Sequence, residues 1–139
     1  MSDGNLIHPR RVLAEVELVS SHFGEVQFED NWVLVWGFDL PDTFNRSISK
    51  LLIVLPNNYP ESPPADLYLI KGLKKNGKTP EHYFEDKYGD SDIRKKGYAW
   101  YSIHFYSWNA NALSMIRGDN LLVAINALYD ALKFDEGER

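Results

Sequence analysis

The residues best suited to chemistry lie between Tyr98 and Trp108, which read Tyr-Ala-Trp-Tyr-Ser-Ile-His-Phe-Tyr-Ser-Trp. Seven of the eleven are aromatic, counting His104, and Ser102 and Ser107 sit among them. Ser102 and His104 are two apart, so an extended backbone directs both side chains to one face. A hydroxyl beside an imidazole is the elementary acyl-transfer pair, in which the oxygen attacks and the ring takes its proton. A neutral hydroxyl is a weak nucleophile and needs that help, and an imidazole with an unperturbed pKa of about 6.5 suits the task. The same two residues can equally be rim or core residues satisfied by their neighbours. Ser107 abuts Trp108, which favours burial or capping there.

The elements that must position this window follow from periodicity. Val12, Leu13, Val16, Val19 and Phe23 recur at three- and four-residue spacing, with Arg10, Arg11, Glu15 and Glu17 off the stripe, which predicts a helix over about 9–22. His8-Pro9 opens it and Gly24 stops it. The period then changes to two. Residues 25–29 form a short strand, Asp30-Asn31 a turn, and Trp32, Leu34, Trp36, Phe38 and Leu40 alternate as a half-buried strand. Ile48 to Leu55 is apolar enough to be covered on both faces. Ala65 to Ile70 is a fourth strand, and short turns between strands make an antiparallel meander. Lys71 to Lys96 reads as a long, polar, partly irregular surface segment. Leu121, Leu122, Ile125, Leu128, Tyr129 and Leu132 mark a last helix, capped by Asp119 and ended by Phe134, with a polar tail over 136–139. The expected fold class is α+β, with helices on one face of an antiparallel sheet.

Composition narrows the functions. With 139 residues, 44% hydrophobic and 25% charged, the chain can bury about two-thirds of its unfolded surface in one core. One domain over 1–139, with its core at about 9–134, is therefore expected. A net charge of −5 argues against a nucleic-acid backbone as partner. There are no cysteines, which excludes disulfides, thiolate zinc sites and a thiol nucleophile in this chain. The expectation is a cytoplasmic protein without a membrane segment, because no apolar run nears the roughly 18 residues of a span and the N-terminus lacks a basic region.

Between the third and fourth strands stands Leu55-Pro56-Asn57-Asn58-Tyr59-Pro60-Glu61-Ser62-Pro63-Pro64, a stiff turn because its prolines fix φ. An N-terminal helix and a four-stranded meander leading into Tyr59-Pro60-Glu61-Ser62-Pro63-Pro64 resemble the ubiquitin-conjugating enzyme (UBC-like) superfamily. The likeness extends to Trp108 and to the helix after Asp119, and covers residues 9–134. It is greatest to the bacterial branch associated with ubiquitin-like modifiers, in which a histidine follows the nucleophile shortly, as His104 does here.

The resemblance implies a UBC-like fold with an active-site loop before the C-terminal helix. It also implies a protein that accepts the C-terminus of a ubiquitin-like modifier from an activating enzyme and passes it to an amine of a target protein, with no cofactor of its own. The family's nucleophile lies several residues before the tryptophan. Ser102, six before Trp108, would then carry the modifier as an oxyester, with His104 as base. Two departures stand beside this. The His-Pro-Asn of the family is missing, with Asn76 and His82 as the nearest approximations, and so is its cysteine. Ala99, two after Gly97, and Ser102 itself are the positions where a thiol would stand if one had been replaced. The alternative reading is an inactive variant that only binds a modifier or partner.

The remaining candidates are weaker. Asn109 and Asn111 could donate to an oxyanion, but turn roles suit them better. Glu85, Asp90 and Asp92 match no metal-ligand spacing and read as a solvated loop. His82 reads as surface-exposed, and His8 and His22 receive no role. Lys71, Lys74, Lys75 and Lys78 form a basic patch, solvated or a dock for an acidic partner.

Overall fold

A computed structural model describes residues 5–134; the expected polar tail at 136–139 lies outside them. Helix α1 (Pro9–Phe23) is followed by strands β1 (Val26–Glu29), β2 (Trp32–Asp39), β3 (Ile48–Val54) and β4 (Asp66–Ile70). Then come β5 (Tyr83–Phe84), a short helix α2 (Ser91–Lys95), β6 (Tyr98–Tyr101), a 3-10 turn at Met115–Arg117 and helix α3 (Leu121–Phe134). All six strands join one antiparallel sheet in the order β1-β2-β3-β4-β6-β5. The α+β class and the four-stranded meander are as expected, and the sheet is extended by two strands that the sequence hid.

Helix α1 begins on Pro9 and ends at Gly24, whose φ of +82° is a left-handed value that glycine adopts without strain. Val12, Val16 and Val19 face the core. Leu13, expected on that stripe, is 51% exposed, while Glu15, expected outside it, is fully buried. In β2 the simple alternation fails. Val33 and Val35 point into the main core, Leu34 packs on the opposite face with Trp32, and a bulge between Val35 and Phe38 resets the register. One extra residue turns the strand over, so Phe38 and Leu40 join the main core and Trp36 is left at the surface. There Trp36 donates Nε1–H to Gln27 Oε1 and lies under the Lys50 ammonium.

The main core lies between the sheet and helices α1 and α3, and includes Val19, Val35, Ile53, Leu69, Tyr101 and Leu128. Leu51, Leu52 and Ile53 of β3 are covered on both faces, as their apolar run requires. The far face carries a smaller cluster of Leu34, Leu52 and Tyr68, with Tyr98, Trp100 and Ile93 packed against it. Helices on one face only is thus corrected, because α2 covers part of the other face through Ile93. Among the described residues no helix is long and apolar enough to cross a membrane.

Candidate functional site

The aromatic window begins as strand rather than loop. In β6, Ala99 and Tyr101 point into the main core, while Tyr98 and Trp100 face the far side, where Trp100 Nε1–H donates to Asp66 Oδ1 at 2.9 Å. Ala99 pairs with Leu69 and is 0% exposed. A thiol at that position could not meet a substrate without opening the core.

Ser102 is the first residue beyond β6 and is half-buried. Its N–H donates to the His82 carbonyl at 2.7 Å, which anchors it to the edge of the sheet. Beyond it the chain alternates: Ile103 and Phe105 pack against the core, whereas His104 and Tyr106 are exposed. The His104 ring stacks on Tyr106, with centroids 5.5 Å apart and planes 10° from parallel. Among the described residues no hydrogen bond joins Ser102 to His104. Ser107 is exposed, not buried as its place beside Trp108 suggested.

Trp108 closes the segment onto the proline turn. Its Nε1–H donates to the Pro60 carbonyl at 2.8 Å, and its ring lies 6.0 Å from Tyr59 and 5.8 Å from Phe105. The Tyr59-Pro60 peptide is cis and Tyr59 is fully buried. The Tyr59 hydroxyl donates to Glu15 Oε1, which also accepts from the Leu121 N–H at 2.7 Å; Glu15 Oε2 accepts from Arg11 Nε at 2.5 Å. Arg11 Nη1 in turn donates to the Asn111 carbonyl at 2.6 Å. The carboxylate thus meets the positive end of α3, where a negative charge is favoured. Burial, followed by the neighbouring Glu15 charge, holds the Tyr59 phenol far above its ordinary pKa.

The loop from Asn109 to Asp119 is pinned at its base. Asn109 N–H donates to Asp119 Oδ2 at 2.6 Å, and Asp119 N–H donates to the Asn109 carbonyl at 3.0 Å. Gly118 sits so close to this base that a Cβ would lie 2.6 Å from Asn111 N and 2.7 Å from Asn109 O. Asn111 Oδ1 accepts from the N–H groups of Leu113 and Ser114, which is turn chemistry. The expected cap at Asp119 is corrected: Asn120 Oδ1 takes the Val123 N–H and caps α3.

The remaining sequence candidates have defined places. Asn76 tops an exposed turn with φ of +51°. His82 is half-buried, not fully exposed, with φ of +62° and its ring edge-on to Tyr101 at 6.4 Å. Asp90 caps α2 through the N–H groups of Asp92 and Ile93, and Glu85 Oε2 accepts from the Gly72 N–H. Lys75 Nζ donates to the Leu132 and Lys133 carbonyls at the end of α3. Among the described residues no cluster of three or more His, Asp or Glu could hold a metal ion. A cleft of about 130 Å³ beside the proline turn is lined by His8, Arg11, Pro60, Glu61, Ala110 and Ala112, and reaches neither Ser102 nor His104.

The model of the family described as prokaryotic E2 family E matches residues 10–133, and the chain belongs to that family. No curated protein and no solved structure matches it.

Proposed function

We propose that this chain has the UBC-like fold and handles a ubiquitin-like modifier in the cytoplasm, with Ser102 taking the modifier's C-terminus as an oxyester and passing it to a target amine. The observation that carries the reading is Ser102 itself, a half-buried hydroxyl residue tied to the sheet edge by its own N–H and followed by an exposed rim. Fixing a nucleophile before reaction lowers the entropic cost of attack. An imidazole must take the hydroxyl proton, and the residue assigned to that role is His104, two positions on and on the exposed rim. Incubation with a ubiquitin-like modifier, its activating enzyme and ATP is expected to give an adduct that hydroxide cleaves and thiols leave intact. Formation of the same adduct by Ser102→Ala sinks the assignment.

A second reading is favoured by the missing cysteine and by the lack of a Ser102–His104 hydrogen bond among the described residues. In it the protein binds the modifier without carrying it. Measurable affinity with no adduct under the same conditions selects that reading.

A further inference from the structure

On the far face of the sheet, Phe84, Tyr88 and Trp100 form a cluster of three rings outside the main core. Phe84 stands opposite Trp100 in the β5–β6 ladder. Its ring centroid lies 4.8 Å from that of Tyr88, with the planes at 90°, and 5.9 Å from that of Trp100. The Tyr88 and Trp100 centroids are 5.4 Å apart. The Lys87 ammonium sits over two of these rings at once, 5.6 Å from the Phe84 centroid and 5.3 Å from the Tyr88 centroid. Both distances fall within the roughly 6 Å over which a ring face attracts a cation. Lys50 and Lys133, in contrast, each lie over a single ring. Lys87 makes no salt bridge or hydrogen bond among the described residues, so the rings alone place its charge. Burial does not explain the arrangement. Tyr88 is 53% exposed and has a φ of +67°, a left-handed value that strains a residue with a side chain. Arg94 Nε donates to the Tyr88 carbonyl at 2.7 Å and holds the backbone there. Trp100 Nε1–H donates to the Asp66 carboxylate, and a negative charge behind the rings favours a cation on them.

We propose that the Phe84–Tyr88–Trp100 cluster is a docking site for a lysine side chain of a partner protein, with Lys87 as its resident occupant. The ligand class is read from Lys87 itself, which shows that the corner between Phe84 and Tyr88 accepts a primary ammonium on a flexible four-carbon stem. Lys87 is exposed, and a cation held on rings at an exposed site is held weakly, so an incoming lysine displaces it. The docked ammonium is protonated and has no free electron pair. It anchors the partner and is not the amine to be modified, and the site stands independently of the oxyester reading.

The test titrates acetyl-Gly-Lys-Gly-amide into the full chain at constant ionic strength, with the same peptide carrying norleucine for lysine as its uncharged counterpart. NMR follows the ring protons of Phe84, Tyr88 and Trp100. The lysine peptide should shift them saturably, and the norleucine peptide should bind about fivefold or more weakly. Lys87→Ala frees the corner and should bind the lysine peptide about threefold to sixfold more tightly than the parent does. Lys95→Ala removes the same charge from the exposed face of α2 and should give less than half that gain. Tyr88→Asn takes away one wall with a residue type that tolerates the left-handed backbone. It should lose about twofold to fivefold in affinity with its unfolding midpoint unchanged. Equal affinity for the two peptides, or no saturable shift in Lys87→Ala, overturns the site. A gain in Lys95→Ala as large as that in Lys87→Ala overturns Lys87 as its occupant.

Discussion

Tyr59 gives its hydroxyl hydrogen to the buried Glu15 carboxylate, and burial keeps its phenol protonated far above the usual range. That has a consequence for pH. Below about 10, the ordinary phenol pKa, Tyr59 is protonated in both the folded and unfolded chain, and it contributes no pH dependence. Above that, the unfolded chain loses the proton while the folded one keeps it, so stability falls as pH rises. Tyr59 alone contributes a slope of up to about 1.4 kcal/mol per pH unit. Urea unfolding at successive alkaline pH values should show this decline. Tyr59→Phe should remove that share of the slope, and near neutral pH it should cost about 1–3 kcal/mol by depriving a buried acceptor of its donor. The importance of Tyr59 was legible in the Tyr-Pro-x-x-Pro-Pro turn, but its partner was not. Glu15 lies 44 positions away, and helical periodicity assigned it to the polar side. Periodicity reports which face is apolar on average, and a single buried carboxylate with three donors contradicts the average at one position. The backbone anchor of Ser102 is hidden in the same way, since the His82 carbonyl that accepts its N–H lies 20 positions earlier in the chain.

At the scale of elements, the segment between β4 and β6 shows what local pattern misses. Polar, glycine-containing sequence with few aliphatics reads as surface loop, and β5 is only two residues long, too short to show alternation. Its order comes from packing on the far face of the sheet. Phe84, Tyr88 and Trp100 pack together with centroids 4.8–5.9 Å apart, the Tyr68 hydroxyl accepts from the Asp90 N–H, and Asp90 caps α2. Gly89 is the hinge of this arrangement, with φ of +66° and no room for a Cβ, which would lie 2.7 Å from both Trp100 Cδ1 and the Tyr68 hydroxyl. Gly89→Ala should therefore destabilise by about 1–3 kcal/mol from overpacking, more than an ordinary loop substitution. Thermal unfolding followed by tryptophan emission checks it, because Trp100 is the residue displaced. At α3, Asn120→Ala should cost about 1 kcal/mol as the loss of a true cap, measured by urea titration. A larger loss from Asp119→Ala would reflect the loop base that Asp119 holds and not the helix start. The meander, in contrast, was legible nearly to the residue, because long apolar strands between proline and Asp/Asn turns carry their own signal. Only the bulge in β2 escaped, since alternation counts residues and cannot see one that is skipped.

Across the whole molecule, one charged junction ties together what the core alone would leave separate. Glu15 of α1 meets the hydroxyl of the proline turn and the first N–H of α3, and Arg11 reaches from the same helix to the loop carbonyl of Asn111. The loop that follows Trp108 is thereby held against α1, and Trp108 is held against the turn through Pro60. The candidate site segment is thus fixed at both ends, at Ser102 by the sheet edge and at Trp108 by the turn. A buried pair of this kind is a poor source of net stability, yet removing one member is costly because the other stays behind uncompensated. Arg11 is already imperfectly served, since its Nη2 is buried with no hydrogen-bond partner among the described residues. Glu15→Ala should therefore cost about 3–5 kcal/mol, a fifth or more of the 5–15 kcal/mol typical of a small protein. Arg11→Met in the same background should recover part of the loss by removing the stranded charge, although Arg11→Met alone destabilises. Hydrogen exchange gives the local readout. In Glu15→Ala the Leu121 amide and the amides of 109–119 should exchange faster than the β2–β3 ladder does relative to the parent. Uniform acceleration of all amides would mean that the junction only adds stability and does not position the loop.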